Sequence, residues 1–277
     1  MRFLFWNANR AGALPSIGRL VEAQSVDTLI LAECPVEEAA MLEHLNGLPS
    51  QASGLAFWSS SPIVKTSLKI YTRAPKDRFG MIDGVPDTSH FLLRQITADD
   101  GNKYVLAAVH LISPMWASAE TQRQGTADAA KEVRRAESII EKDVRRSIVV
   151  GDFNLDPFDP GVANANRFHG VMSREEASQE RRLVLGKPYE FYYNPMWGLL
   201  GDREGRPPGT YYYLDGIDCL FWHMFDQVLV RPSLISAFKE KTLAVLDHDG
   251  RASLLTSRGR PNPDVCDHLP LVFSMDL

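Results

Sequence analysis

The segment VVGDFNLDP, residues 149–157, carries more structural information than any other run of the chain. A short apolar strand over residues 147–150 ends at Gly151, and Asp152 and Asn154 follow at once. Side chains two residues apart in extended backbone point the same way, so both project from the strand end into one pocket. Asp offers a hard oxygen to a divalent cation or accepts a proton from water. Asn offers a carbonyl to a cation or an amide donor to an oxygen. Gly, Asp, Asn and Pro are also ordinary turn formers, so the segment by itself is equally compatible with a plain loop.

Other strand ends repeat the pattern. In FLFWNANR an apolar strand over residues 3–6 runs into Asn7 and Asn9, and Glu33 stands just after the apolar run 28–31. His110 ends the strand-like YVLAAVH, and Asp267-His268 precede a final apolar strand over residues 270–274. Each is weak alone, because a carboxylate after a strand is often a helix cap and a lone His is often structural. Several apolar strands ending in acids, amides or imidazoles would bring hard oxygen ligands for Mg²⁺ or Mn²⁺ to one sheet edge. His44, His90, His169 and His223 have no comparable setting, and His248, between Asp247 and Asp249, reads as part of a polar loop.

The remaining chain reads as alternating helices and strands. Helical spacing of Ile17, Leu20 and Val21 predicts a helix from about Pro15, and another covers 36–45. Strands are expected at 54–58, 63–71, 91–96, 104–109 and 227–230. A long amphipathic helix over 117–143, rich in Ala, Glu, Lys and Arg, suits a cover for a sheet. Residues 174–210, including FYYNPMW, receive no assignment. Helices over a large mixed β-structure predict a layered α/β sandwich, and no linker or repeat divides it, so one domain over 1–277 is expected.

Composition narrows the function classes. With 44% hydrophobic and 23% charged residues the chain has the make-up of a globular protein with a large core. A net charge of -5 and a pI near 5.8 exclude global attraction to polyanions, so any such substrate needs a local basic patch or metal ions. Cys34, Cys219 and Cys266, scattered and without CxxC spacing, argue against a disulfide framework and a structural zinc site. The apolar run at the N-terminus is shorter than a signal peptide needs and no stretch approaches the length of a membrane helix, so neither a leader nor a membrane anchor is expected. A cytoplasmic location is expected.

Taken in order, WNAN (6–9), LAE (31–33), VHL (109–111), GDFN (151–154) and DHLPL (267–271) resemble the motifs of the endonuclease/exonuclease/phosphatase superfamily, with its deoxyribonuclease-I-like fold. GDFN and the closing DH are the specific ones. The resemblance implies a four-layered α/β/β/α sandwich of two packed mixed β-sheets flanked by helices. It also implies a Mg²⁺- or Mn²⁺-dependent phosphodiesterase. Glu33 would be the principal metal carboxylate, with Asn7, Asp152, Asn154 and Asp267 completing or supporting the metal shell. Asp152 would align or deprotonate the attacking water, and Asn154 would belong to the catalytic set as well as the metal shell. His268 would contact the scissile phosphate as an acid-base or electrostatic group, and His110 would donate a proton to the leaving group. An aspartate orients His268 in such sites. After the Thr-aromatic pair Thr210-Tyr211, both Asp226 in FDQVLVRPSL and Asp218 in GIDCLFW are candidates, and the following strand favours Asp226. Neither is preceded by the family's usual Arg, and Asn9 stands where several members carry Asp or Gly.

A nuclease acting on nucleic acid is the leading expectation, with Arg10, Arg73, Lys76, Arg78 and Arg123 as a basic contact set. A small-molecule or lipid-headgroup phosphate ester is the alternative substrate. A third possibility is a non-catalytic binding module. The aromatic run Tyr189, Phe191, Tyr192, Tyr193 and Trp197 would stack on a ligand or, by default, pack in the core.

Overall fold

The computed structural model describes residues 1–49, 54–61, 66–115, 117–215 and 220–277. The first third holds β1 (Arg2–Asn7), α1 (Leu14–Ala23), β2 (Thr28–Ala32), α2 (Glu38–Asn46), β3 (Trp58–Ser59) and β4 (Leu68–Thr72). Next come β5 (Phe79–Met81), β6 (Phe91–Thr97), β7 (Lys103–His110), α3 (Ala119–Ile140) and β8 (Ser147–Asp152). The stretch that sequence patterning left unassigned follows α4 (Pro160–Ala163) and β9 (Gly170–Val171). It contains α5 (Arg174–Ala177), the hairpin β10 (Arg181–Val184) and β11 (Lys187–Glu190), and β12 (Tyr192–Tyr193). The chain closes with β13 (Tyr211–Tyr212), β14 (Trp222–His223), β15 (Asp226–Val230), β16 (Ala244–Val245) and β17 (Leu271–Ser274).

Two mixed sheets result, in the orders β16-β17-β1-β2-β4-β3 and β5-β6-β7-β8-β15-β12-β9. Their strands read as continuous apolar runs because both faces are covered. Phe3, Phe5, Ile30 and Ile70 of the first sheet meet Leu106, Ala108, Val150 and Val228 of the second between the sheets. Leu4, Trp6, Leu29 and Leu31 point the other way, against Ile17, Leu20 and Val21 of α1 and Met41 and Leu45 of α2. Val105, Ala107 and Val149 pack outward against Ala129, Ala130 and Val133 of α3. The expected four-layered α/β/β/α sandwich is the observed architecture. Each large apolar side chain buried in these layers contributes about 1.5–3 kcal/mol.

One buried ion pair ties a helix to its sheet. Arg231, just after β15, donates to both carboxylate oxygens of Glu137 on α3, at 2.7 and 2.8 Å, with both residues buried. Its guanidinium also lies 4.0 Å over the Tyr192 ring. Breaking such a pair from one side leaves an uncompensated buried charge, at a cost of about 3–5 kcal/mol.

Element boundaries differ locally from the sequence reading. The strand expected over 54–58 forms only at Trp58–Ser59, because the Phe57 amide donates to Asn46 Oδ1 instead of entering the ladder. Residues 62–65, inside the strand expected over 63–71, lie outside the described residues, and β4 begins at Leu68. The long helix starts two residues later than its apolar pattern suggests, where Ser118 Oγ caps the Thr121 amide at 3.2 Å. Among the described residues no helix is long and apolar enough to cross a membrane.

Candidate active site

Strand register builds the site. His110 of β7 pairs with Asp152 of β8, and Asp152 pairs in turn with Asp226 of β15. Directly paired residues project from the same face, so these three side chains form a row across adjacent strands. They share the face of Ala108, Val150 and Val228, and so cap the apolar layer between the sheets at one end. Asn7, at the end of β1 and in step with Phe3 and Phe5, caps the same layer from the other sheet.

Two backbone features shape this cap. Following the alternation of β2, Glu33 would point with Leu29 and Leu31 toward the outer helices. Its φ of 53° is left-handed instead, and turns the carboxylate into the site. Gly151 explains the first letter of the GDFN segment, since a Cβ there would lie 1.9 Å from the Val109 carbonyl oxygen.

Asn7 Nδ2 donates to Glu33 Oε1 and to Asp152 Oδ2, each at 3.0 Å. His110 Nε2 lies 3.1 Å from Glu33 Oε1 and 3.9 Å from Asp152 Oδ2, while its Nδ1 is 2.7 Å from the Ser67 hydroxyl. The hydrogen bond from His110 holds the Glu33 carboxyl at about 2, against the opposing effect of partial burial. Burial works against a proton on His110, but the Glu33 hydrogen bond and the Asp152 charge outweigh it and raise its pKa.

His268 forms the other arm. Its Nδ1 is 2.9 Å from Asp226 Oδ2, and its Nε2 is 4.0 Å from Asp152 Oδ2. Burial alone would strip the imidazole of its proton. The Asp226 charge and hydrogen bond overcome this and lift its pKa to about 10. Burial pushes the Asp226 carboxyl upward, and His268 opposes that push. We place the shared proton on the imidazole, the more basic partner. Trp6 Nε1 donates to the His268 carbonyl at 2.9 Å, and the Asp226 amide donates to Thr210 Oγ1 at 3.1 Å, so the WN and Thr-aromatic motifs fix this arm.

The remaining sequence candidates sit nearby in lesser positions. Asn154 lines the cleft, but its Nδ2 donates to the Leu111 carbonyl and its backbone amide to Asp152 Oδ1, so it braces Asp152. Asp267 lines the cleft and accepts from Asn9 Nδ2 at 2.8 Å. Asp218 lies outside the described residues.

The ligand atoms of Glu33, His110 and Asp152 lie within 4.8 Å of one another, as do those of Asp152, Asp226 and His268. The Asn7 Oδ1 atom is buried without a hydrogen-bond partner. A half-turn of the amide would aim that oxygen at the two carboxylates that Nδ2 now bridges. Ionised Glu33, Asp152 and an orphaned carbonyl oxygen suit a hard divalent cation.

The cleft, about 450 Å³, also holds residues that sequence patterning missed. His223 lines it, with Nδ1 2.7 Å from Asp156 Oδ2, and Asp156 Oδ1 accepts the Met224 amide at 2.7 Å. Phe225, directly before Asp226, stacks between Tyr211 and His223. Tyr211 lies 4.6 Å from the His268 ring. Asp156 is visible within the 149–157 segment, but its partner is 67 residues away.

The expected basic set is not assembled at the cleft. Arg73 and Arg78 line a hollow with Met1 and Asp27 beyond the opposite end of the first sheet, where Thr72 pairs with Thr28. They are paired with Asp27 and Asp99, Arg123 with Glu120, and Lys76 lies over Trp58. Arg10 is exposed. The FYYNPMW residues pack rather than bind: Tyr192 and Tyr193 are buried in β12, between β15 and β9, and Trp197 meets Phe158.

Solved structures share this fold across the full chain. The AP endonuclease LMAP from Leishmania major has a TM-score of 0.59 at 16% identity, covering 99% of this chain and 87% of that one. The 3'-5' exonuclease NExo from Neisseria meningitidis has a TM-score of 0.57 at 20% identity, covering 100% of both. D. rerio TDP2, complexed with single strand DNA product, has a TM-score of 0.54 at 19% identity, covering 100% of this chain and 99% of that one. A search of curated proteins gave no match. The sequence model of the Endonuclease/Exonuclease/phosphatase family matches residues 4–253. With that match over most of its length, and acid, amide and imidazole groups converging at one end of the sandwich, the chain belongs to the endonuclease/exonuclease/phosphatase family of phosphoester hydrolases.

Proposed function

We propose that the protein is a Mg²⁺- or Mn²⁺-dependent nuclease that cleaves phosphodiester bonds by water attack. One observation carries the reading: Asn7, Glu33 and Asp152 meet the His268–Asp226 pair at a single cleft, though they come from both sheets. Glu33, Asp152 and Asn7 would hold the cation, with Asn154 and Asp267 supporting them. When bound, the cation supplies the charge that polarises the phosphate and stabilises the leaving oxygen. Asp152, braced by Asn154, aligns the attacking water. His268, held protonated by Asp226, contacts a non-bridging phosphate oxygen as an electrostatic clamp. His110 would pass its Nε2 proton to the leaving oxygen once substrate displaces its bond to Glu33. Nucleic acid as substrate is supported by neighbours of the same fold, among them NExo bound to a product DNA hairpin.

The test is turnover by purified protein with Mg²⁺ or Mn²⁺ on single- and double-stranded DNA, RNA, bis-p-nitrophenyl phosphate and inositol phosphates. Glu33→Ala and His268→Ala are run beside it. Metal-dependent strand cleavage lost in both variants is the expected result. Turnover confined to the inositol phosphates would replace the nuclease reading with a small-molecule phosphatase.

A further inference from the structure

The catalytic cleft does not end at His268. Tyr213 and Asp267, which line it, also line an adjoining hollow of about 530 Å³, bounded on its far side by the turn over residues 256–260. This turn is stiff. Thr256 N–H donates to the Arg260 carbonyl at 2.7 Å, Gly259 N–H donates to the Thr256 carbonyl at 2.9 Å, and Gly259 takes a φ of 70° that suits glycine. Leu255 and Pro261 bridge its base.

The turn carries Arg258 and Arg260, and both face the hollow. The Arg260 guanidinium sits 4.5 Å over the Tyr212 ring, which holds it in place. Among the described residues neither arginine makes an ion pair, unlike Arg73, Arg78 and Arg123. Asp215 and Asp267 share the hollow, and Asp267 is engaged by Asn9 on the catalytic side. In a chain of net charge -5, two cations without an ion pair among the described residues, on a hydrogen-bonded turn beside the cleft, form a local basic patch of the kind a polyanion requires.

We propose that this hollow is a strand-binding subsite for a single-stranded polyphosphodiester. Arg258 and Arg260 contact backbone phosphates flanking the scissile one, and Tyr213 lends its ring to the intervening base. The subsite rests on the nuclease reading and deepens it: the substrate is a strand that continues past the cut, not an isolated diester.

Binding is measured by fluorescence anisotropy of labelled oligo-dU and oligo-U on the His268→Ala protein, as a function of NaCl. Removing both charges in Arg258→Ala/Arg260→Ala should weaken binding roughly tenfold and flatten the salt slope by about 1.4, the value for losing two single-strand phosphate contacts. Arg258→Lys/Arg260→Lys should restore the slope, which a merely structural role for the turn would not do. The two strands differ in sugar, so their relative affinities show whether DNA or RNA fills the subsite. In the kinetic arm, the alanine pair on an otherwise intact protein should lose about tenfold more kcat/KM on oligonucleotide than on bis-p-nitrophenyl phosphate, with the loss in KM. An unchanged salt slope, or equal losses on both substrates, overturns the subsite. Failure of the nuclease reading looks different: the unmodified protein would cleave no oligonucleotide at all.

Discussion

The carboxamide of Asn7, at the end of one sheet, donates to the carboxylate of Asp152, at the end of the other, over 3.0 Å. This bond closes the gap between the sheets where the apolar layer stops, and the same amide nitrogen reaches Glu33. Both carboxylates are therefore oriented by one side chain, and the amide oxygen is left buried without a partner.

Asn7→Ala should therefore weaken divalent cation binding by about 10- to 100-fold, as loss of an orienting neighbour does at other metal sites. Mn²⁺ titration followed by electron paramagnetic resonance reads this without reference to turnover. Affinity equal to that of the unmodified protein would show that neither the amide donor nor its orphaned oxygen serves the cation.

Asp226→Asn keeps the shape of the His268 support and removes its charge. Turnover should fall by roughly 10²–10⁴-fold. The His268 titration, raised to about 10 by Asp226 after overcoming burial, should move back down toward the ordinary histidine range, as read from imidazole NMR signals. The sign for stability follows from a raised pKa. The His268–Asp226 contribution is fully present below about pH 6.5 and is lost as pH rises toward 10, and the variant should lack that alkaline slope.

Gly151→Ala should fail to accumulate as folded protein, or be destabilised by more than about 4 kcal/mol in urea. Its new Cβ would meet backbone at 1.9 Å, where no side chain can give way. Gly80→Ala, with nothing within 4 Å of the new atom, should stay within about 0.5 kcal/mol of the parent. Similar urea midpoints for the two variants would refute the close approach of β8 to Val109.

His169, far from the cleft, should govern acid sensitivity. Burial, reinforced by Arg182, pushes its pKa down from 6.5 to about 4, and Arg182 Nε donates to His169 Nε2 at 3.0 Å. The folded state thus binds fewer protons than the unfolded one between these values, so stability should fall as pH drops from about 6.5 to about 4. Urea midpoints across that window should slope less in His169→Gln, and an unchanged slope would refute the assignment.

Reading the chain alone reached the layered architecture because strands buried on both faces are apolar throughout, and their ends are marked by the first polar side chains. Asn7, Glu33, His110, Asp152 and His268 were legible for that reason. The short strands β9 and β12 were not legible, because two-residue strands are too short to show a period. The apolar strand that follows Asp226 favoured it over Asp218 in the sequence alone. The register of β15 against β8, which sets Asp226 beside Asp152, supports Asp226.

Which groups stand at strand ends is legible in a few consecutive residues, since alternation and apolar burial are local properties. Which of those groups meet follows only from the packing of the two sheets. The left-handed Glu33 backbone, the Ser67 contact with His110 and the His223–Asp156 pair all depend on partners distant in sequence. Arg73 and Arg258 look alike as letters. The first is matched to Asp27 at the far end of a sheet and the second lines a hollow next to the catalytic cleft, because charge pairing is settled by three-dimensional proximity.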